Sequence, residues 1–287
     1  MTSSVALALG AGLTFSLSHF MVRLGLDTSN PRTAVTVNVT VNALGLWALA
    51  GLFAPIRPIW SLSAWPFVVA GLFAPSLARI FLYRGYRHMG LARSSVLVGA
   101  TPLFSVIVAI SFLGERPSGL VLLGTLFIII GIGTMSYTRT GGGSWSTWTI
   151  FLPLAAALCF AFRDIFTKLG LGLVPIPVSG AALTALTATL ALYVSFLSSS
   201  GRERFVVNAK SLWLFIGSGV LLVAAYLLVF FALNQGDVSL VSPLVNIHPL
   251  YSVGLSYIFL QSSENVTGKV VGGGVLIVAG AIGVLLG

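Results

Sequence analysis

The chain of 287 residues is 57% hydrophobic and 7% charged, with a mean hydropathy of +1.03, whereas a soluble domain carries about 25% charged residues. Its 15 Lys and Arg and 6 Asp and Glu cannot coat a globule of this size, so most of its surface has to face lipid. The formal charge of +9 is no nucleic-acid footprint, because the basic residues are scattered among short connectors and form no patch interleaved with aromatics.

A helical membrane crossing takes about 20 apolar residues. Apolar runs bounded by Pro, Gly and charge predict spans over 4–24, 33–53, 63–83, 92–113 and 118–137. The opening segment lacks a basic leader region and outruns signal-peptide length, so it reads as the first of these spans. After the Gly/Ser-rich stretch RTGGGSWSTW, further spans follow over 149–168, 178–197, 211–233, 239–260 and 268–286. Unbroken apolarity favours helices over the alternating strands of a barrel. Cys159 is the single cysteine, which excludes a disulfide framework or a cysteine metal set within the chain. The expectation is an all-α integral membrane protein of ten transmembrane helices, with no cofactor.

The two halves of the chain are related. SSVLVGATPLFSVIVAISFLGE aligns with VSPLVNIHPLYSVGLSYIFLQSSE, placing Pro102 on Pro249 at an offset of 249 − 102 = 147. Ser95 then falls on Ser242, Ser105 on Ser252 and Phe112 on Phe259. A slip of two residues carries the match on to Glu115 over Glu264, Gly124 over Gly273 and Gly131 over Gly280. Upstream, FSLSHFMVRLG lies over FAFRDIFTKLG, which sets His19 on Asp164 and Arg23 on Lys168 at offset 145. Residues 1–140 and 141–287 therefore read as two five-helix repeats. With an odd number of crossings, the second copy enters the bilayer from the opposite side. Inverted repeats enclosing a midplane site are a recurring plan of secondary transporters.

These residues resemble the drug/metabolite transporter superfamily, in particular its ten-helix EamA-type members. The resemblance is carried by the Pro-Leu-Phe and Pro-Leu-Tyr helices, the tails at Glu115 and Glu264, and the Gly-rich last helix of each half. It implies a multi-pass cell-membrane protein, monomer or homodimer, that exports a small metabolite or drug by alternating access. The implied cavity is lined by the first, third and fourth helices of each half, and the implied partners are a small-molecule substrate and membrane lipid, with no nucleic acid. The family's Trp-Gly in the opening helix is replaced by Thr14-Phe15 and Cys159-Phe160. Family likeness puts both termini in the cytoplasm, whereas the basic residues cluster in odd-numbered connectors and put them outside. A channel is the runner-up; an intramembrane enzyme is disfavoured by the absence of HExxH, GxSxG or a ligand cluster.

Ionisable groups inside a span are functional candidates by default. His19 and Asp164 occupy equivalent positions and make a candidate proton-coupling pair. The competing readings are an interior hydrogen-bonded His19 and an Asp164–Lys168 pair one helical turn apart. Arg163, about 100° round the helix from Asp164, is expected to point elsewhere or to reach for the interface. Arg79 falls over Tyr226 (226 − 79 = 147) and, with Tyr226, Asn246 and His248, is a candidate for binding substrate; an Arg there suits a carboxylate, unless it snorkels past Tyr83. Pro102 and Pro249 are assigned a structural role as helix kinks that free the carbonyls of Val98 and Val245. Asn38 and Asn42 share one helix face and suit interhelical hydrogen bonds, and the glycines of the last helix of each half suit a packing seam.

Overall fold

The structure, a computed structural model, describes residues 2–55, 57–89, 97–136, 147–197, 204–259 and 268–287, and among these all regular elements are helical. Helix α1 (Thr2–Leu26) is followed by α2 (Pro31–Phe53). The start of α2 is fixed locally: Asn30 Oδ1 accepts from Thr33 N at 2.9 Å, and Pro31 occupies the first turn, where its missing N–H leaves no bond unmade. Two short 3-10 turns lead into α3 (Trp65–Gly71), a wide turn (Leu72–Leu77) and α4 (Ala78–Met89). Helix α5 (Thr101–Val108) continues through a wide turn (Ala109–Leu113) and precedes α6 (Gly119–Ser136). The second half comprises α7 (Phe151–Leu173), α8 (Pro177–Leu197), α9 (Ala209–Gln235), α10 (Val238–Val245), α11 (His248–Phe259) and α12 (Gly268–Leu286).

Among the described residues six helical stretches are long and apolar enough to cross a bilayer: Ser3–Leu26, Pro31–Phe53, Leu62–Leu82, Trp148–Leu173, Pro177–Phe196 and Ala209–Gln235. Thr101–Leu113, Gly119–Thr134 and Val271–Leu286 are shorter apolar helices. Large apolar side chains such as Leu52, Phe53, Phe112 and Trp213 stand outward and exposed. In water such a surface would drive association; in lipid it is the matching solvent. The chain is an integral membrane protein.

Three of the expected spans are broken. The third has an extended residue, Ala74 (φ −148°, ψ 139°), just before Pro75. Proline has no N–H to offer the Gly71 carbonyl, and Ser76 Oγ donates to that oxygen instead, lying 3.0 Å from Gly71 O and 3.0 Å from Ala188 O on α8. In the fourth and ninth spans the expected mid-helix proline kinks are replaced by helix starts. Pro102 lies in the first turn of α5, after a turn at 99–100, and residue 249 is the second of α11, after a turn at 246–247. A proline in the first turn breaks no hydrogen bond. The Val98 carbonyl finds its donor in the Thr101 hydroxyl at 2.7 Å.

The helices pack in reciprocal pairs. Helix α1 lies along α9, and α7 lies along α3 and α4; α2 meets α8, and α6 meets α12. Helix α5 packs on α7 as α10 and α11 pack on α1, and α5 meets α10. Fully buried Leu46, Phe67, Phe215, Phe230, Leu244 and Ile277 fill the interior. The α6–α12 seam is tight: a Cβ on Gly124 would stand 2.5 Å from Gly280 O, and one on Gly131 would stand 2.6 Å from Gly273 O. Since 124 precedes 131 while 280 follows 273, the two helices run antiparallel.

Candidate functional site

The turn between α10 and α11 lies against α1 and close to α5 and α7, and several interior polar groups meet beside it. Helix α7 contributes Asp164, which is 4% exposed. Its Oδ1 accepts from Arg163 Nε at 2.9 Å and from Arg163 Nη2 at 2.6 Å. Its Oδ2 lies 3.0 Å from the Ser242 hydroxyl of α10, which also approaches Ser105 Oγ of α5 at 2.9 Å. Ser242 has one proton, so it donates to one of the two at a time. Asn246 Nδ2 donates to Ser242 O at 2.8 Å, and so fixes the last turn of α10 beside the carboxylate.

An aromatic and imidazole layer adjoins this group. Tyr226 of α9 is 7% exposed and stands near Arg163. The Tyr226 ring meets Phe15 edge-on with centroids 6.0 Å apart, and Phe15 stacks on His19 at 6.3 Å. His19 in turn meets His248 edge-on at 5.5 Å. His248 Nδ1 is buried and lacks a hydrogen-bond partner, a costly condition for a polar atom. The Arg163 guanidinium carbon lies 5.6 Å from the Phe160 ring centroid, in cation–π range.

Two expectations about α7 are corrected. Asp164 pairs with its neighbour Arg163 and not with Lys168, and Arg163 curls inward instead of pointing away. Adjacent helix residues do not ordinarily face each other. The long Arg side chain bends round the helix because an unpaired charge in an apolar interior costs several kcal/mol. Lys168 Nζ donates to Leu233 O at 2.9 Å and to Gly236 O at 2.7 Å, closing the C-terminal end of α9.

Of the residues singled out by sequence, His19, Asp164, Tyr226, Asn246 and His248 gather in this one region, flanked by the helix starts at Pro102 and residue 249. The Arg79 backbone belongs to α4, and its side chain lies outside the described residues, as does that of Pro249; Glu264 is outside them entirely. Sequence reasoning passed over Ser105 and Ser242, although both stood in the aligned repeat, and it set Arg163 aside. Asn38 does reach across to α9, but its Nδ2 lies 3.5 Å from Ser218 Oγ, the limit of a hydrogen bond. A shorter polar link to the same hydroxyl comes from α1, where Ser18 Oγ lies 2.8 Å from Ser218 Oγ.

A second polar group closes the turn between α9 and α10. Glu115 Oε1 accepts from Val238 N and Oε2 from Ser239 N, each at 2.8 Å. Asp237 holds the N-cap position of α10 but makes no capping bond; the acceptor comes instead from the loop after α5. That loop turns at Gly114, whose φ of 68° is left-handed and suits glycine. Together with Leu113, Leu169, Gly172 and Leu173, residues Glu115, Lys168 and Asp237 line a cleft of about 270 Å³.

Comparison with known proteins gives a consistent result. Residues 2–137 and 147–286 each match the EamA-like transporter family. A probable terminal-alkyne amino-acid exporter of Streptantibioticus cattleyicolor is 27% identical over 157 residues, which cover 54% of this chain and 52% of that protein. The match thus spans about half the length of that relative. A solved structure described as "Crystal structure of protein" superposes with a TM-score of 0.82 at 18% identity, over 100% of this chain and 97% of the other. At that identity the likeness carries the fold alone.

Proposed function

The chain belongs to the EamA-like transporter family, and from that premise we propose that it is a secondary transporter exporting a small solute across the cell membrane by alternating access. The observation that carries the reading is the buried Arg163–Asp164–Ser242–Ser105 group. It joins α5, α7 and α10, helices from both halves, at a place where two of them are interrupted. Interrupted helices surrounding interior polar groups are the usual ligand site of carriers built from inverted repeats.

Ten crossings in two inverted units, 1–140 and 141–287, is the topology that accords best with the packing. The main cross-pairs have their reciprocals: first helix on third, third on first, and second and fifth each on its own counterpart. The glycine seam supports the same relation. The sequence offset (273 − 124 = 149) takes Gly124 to Gly273 and Gly131 to Gly280. It thereby turns the Gly124–Gly280 contact into the Gly131–Gly273 contact, which also occurs. Equivalent helices lying antiparallel accord with an axis in the membrane plane.

Tyr226, Asn246 and His248 are the groups we assign to solute binding, with Arg79 retained from the repeat alignment. Asp164 and His19 are assigned to exchange of protons against solute. The curated relative's name directs the first trial to amino acids. The test is counterflow: purified protein in liposomes preloaded with an unlabelled solute should accumulate the labelled solute saturably, across a panel of amino acids, amines and organic acids. Linear, unsaturable uptake without counterflow would instead identify a channel. Asp164→Asn should abolish solute-driven proton movement across the liposome membrane, read by an internal pH dye; unchanged proton movement would remove Asp164 from the coupling step.

A further inference from the structure

We infer that the cleft beside the α9–α10 turn is a headgroup site for a membrane phospholipid bearing a primary amine, with the lipid phosphate on Lys168 and its ammonium on Asp237. The inference goes beyond the carrier reading and needs only that the chain sits in a bilayer.

Position comes first. Trp148–Leu173 and Ala209–Gln235 are long enough to cross the hydrocarbon, and their C-terminal ends meet here, where Lys168 Nζ donates to Leu233 O and Gly236 O. The cleft therefore opens at the level of lipid headgroups. Its rim is exposed at Gly172, Leu173 and Asp237. Leu173, 52% exposed, continues the apolar wall of Leu113 and Leu169 out of the cleft, along the path an acyl chain would take.

Unspent polar capacity points to the ligand. A lysine ammonium has three N–H donors, and Lys168 commits two of them to backbone carbonyls. The Asp237 carboxylate makes no capping bond; the amides it would cap are held by Glu115. Among the described residues Lys168 forms an ion pair with neither Glu115 nor Asp237. A base and a carboxylate thus line one cleft without meeting. A headgroup with a phosphate and an ammonium a few bonds apart answers both: the phosphate accepts the third Lys168 donor, and the ammonium donates to Asp237.

Size and charge narrow the class. A volume of about 270 Å³ lies below the ~300–1,000 Å³ of pockets that enclose drug-sized molecules, so the cleft suits a headgroup better than a whole solute. Its lining sets two acids, Glu115 and Asp237, against one base, which disfavours a purely anionic headgroup. A quaternary ammonium has no N–H to donate to Asp237, whereas a primary ammonium does.

The test uses the whole chain in detergent, stripped of lipid and titrated with phosphatidylethanolamine, phosphatidylcholine or phosphatidylglycerol of matched acyl chains while its melting temperature is followed. Phosphatidylethanolamine should half-saturate at a level at least about tenfold lower than either of the others, the gain from a hydrogen bond between charged groups. Asp237→Asn should erase its advantage over phosphatidylcholine. Asp237→Lys should turn the preference to phosphatidylglycerol, an inversion that general damage cannot mimic. Soluble glycerophosphoethanolamine should not compete at the same concentrations, because it lacks the chains that lie along Leu173. Equal response to the amine and choline lipids, a parent preference for phosphatidylglycerol, no response to any of the three, or variants that keep the parent's order would each overturn the inference. Equal potency of the soluble headgroup would make this a site for a dissolved amine phosphate and overturn the assignment to lipid.

Discussion

Asp164 was visible in the sequence as a carboxylate inside a span, but its partner was not. Spacing favoured Lys168, four residues on, while Arg163 won because Lys168 is occupied by the open C-terminal carbonyls of α9, Leu233 O and Gly236 O. That competition comes from tertiary structure, so no local rule could reveal it. Glu115 teaches the same lesson. It appeared in the sequence as a repeat marker, and the structure makes it the acceptor for the first amides of α10, a place that Asp237 would fill by local rules. Glu115→Ala should therefore lower stability by about 1–2 kcal/mol, the range for a lost helix cap carrying charge; a melting series in detergent measures it. Asp237→Ala should change the melting temperature far less. Lys168→Met keeps the apolar stem but leaves two carbonyls without their donor, and should cost about 1–3 kcal/mol in the same assay.

At the level of elements, apolar run lengths located most helix ends to within a few residues, because burial and the cost of bare peptide groups in lipid leave little freedom. Breaks were harder to place. Pro102 and Pro249 were read as kinks within long helices, yet each lies in the opening turn of a shorter one. The break at Ala74 went unforeseen, although Pro75 was in plain view; its counterpart at offset 147 is Leu222, inside the unbroken α9. The glycine seam was legible as a seam but not in its pairing. Gly124→Ala and Gly280→Ala each place a Cβ 2.5 Å from a backbone oxygen, so each should destabilise by about 1–3 kcal/mol. Their contact is mutual, so the double variant should lose less than the sum of the two singles. A change confined to one of them would show that the seam can shift on one side only.

For the whole molecule, the repeat was the most informative signal in the sequence, since parity, reciprocal packing and the antiparallel α6–α12 seam all bear on one arrangement. Its orientation in the bilayer depends on charge. The basic residues are concentrated in odd-numbered connectors, and the positive-inside tendency predicts that a phosphatase reporter fused after Gly287 is active and a fluorescent one dark; the reverse pattern would assign the termini to the cytoplasm. The Glu115 and Lys168 contacts around the α9–α10 turn also bear on how that end of the molecule behaves. Bonds of this kind, each with one charged member, are strong where water is scarce and weak where it is plentiful. On the carrier reading proposed above, a fastening of this kind would hold firmer with that end dry than with it wetted.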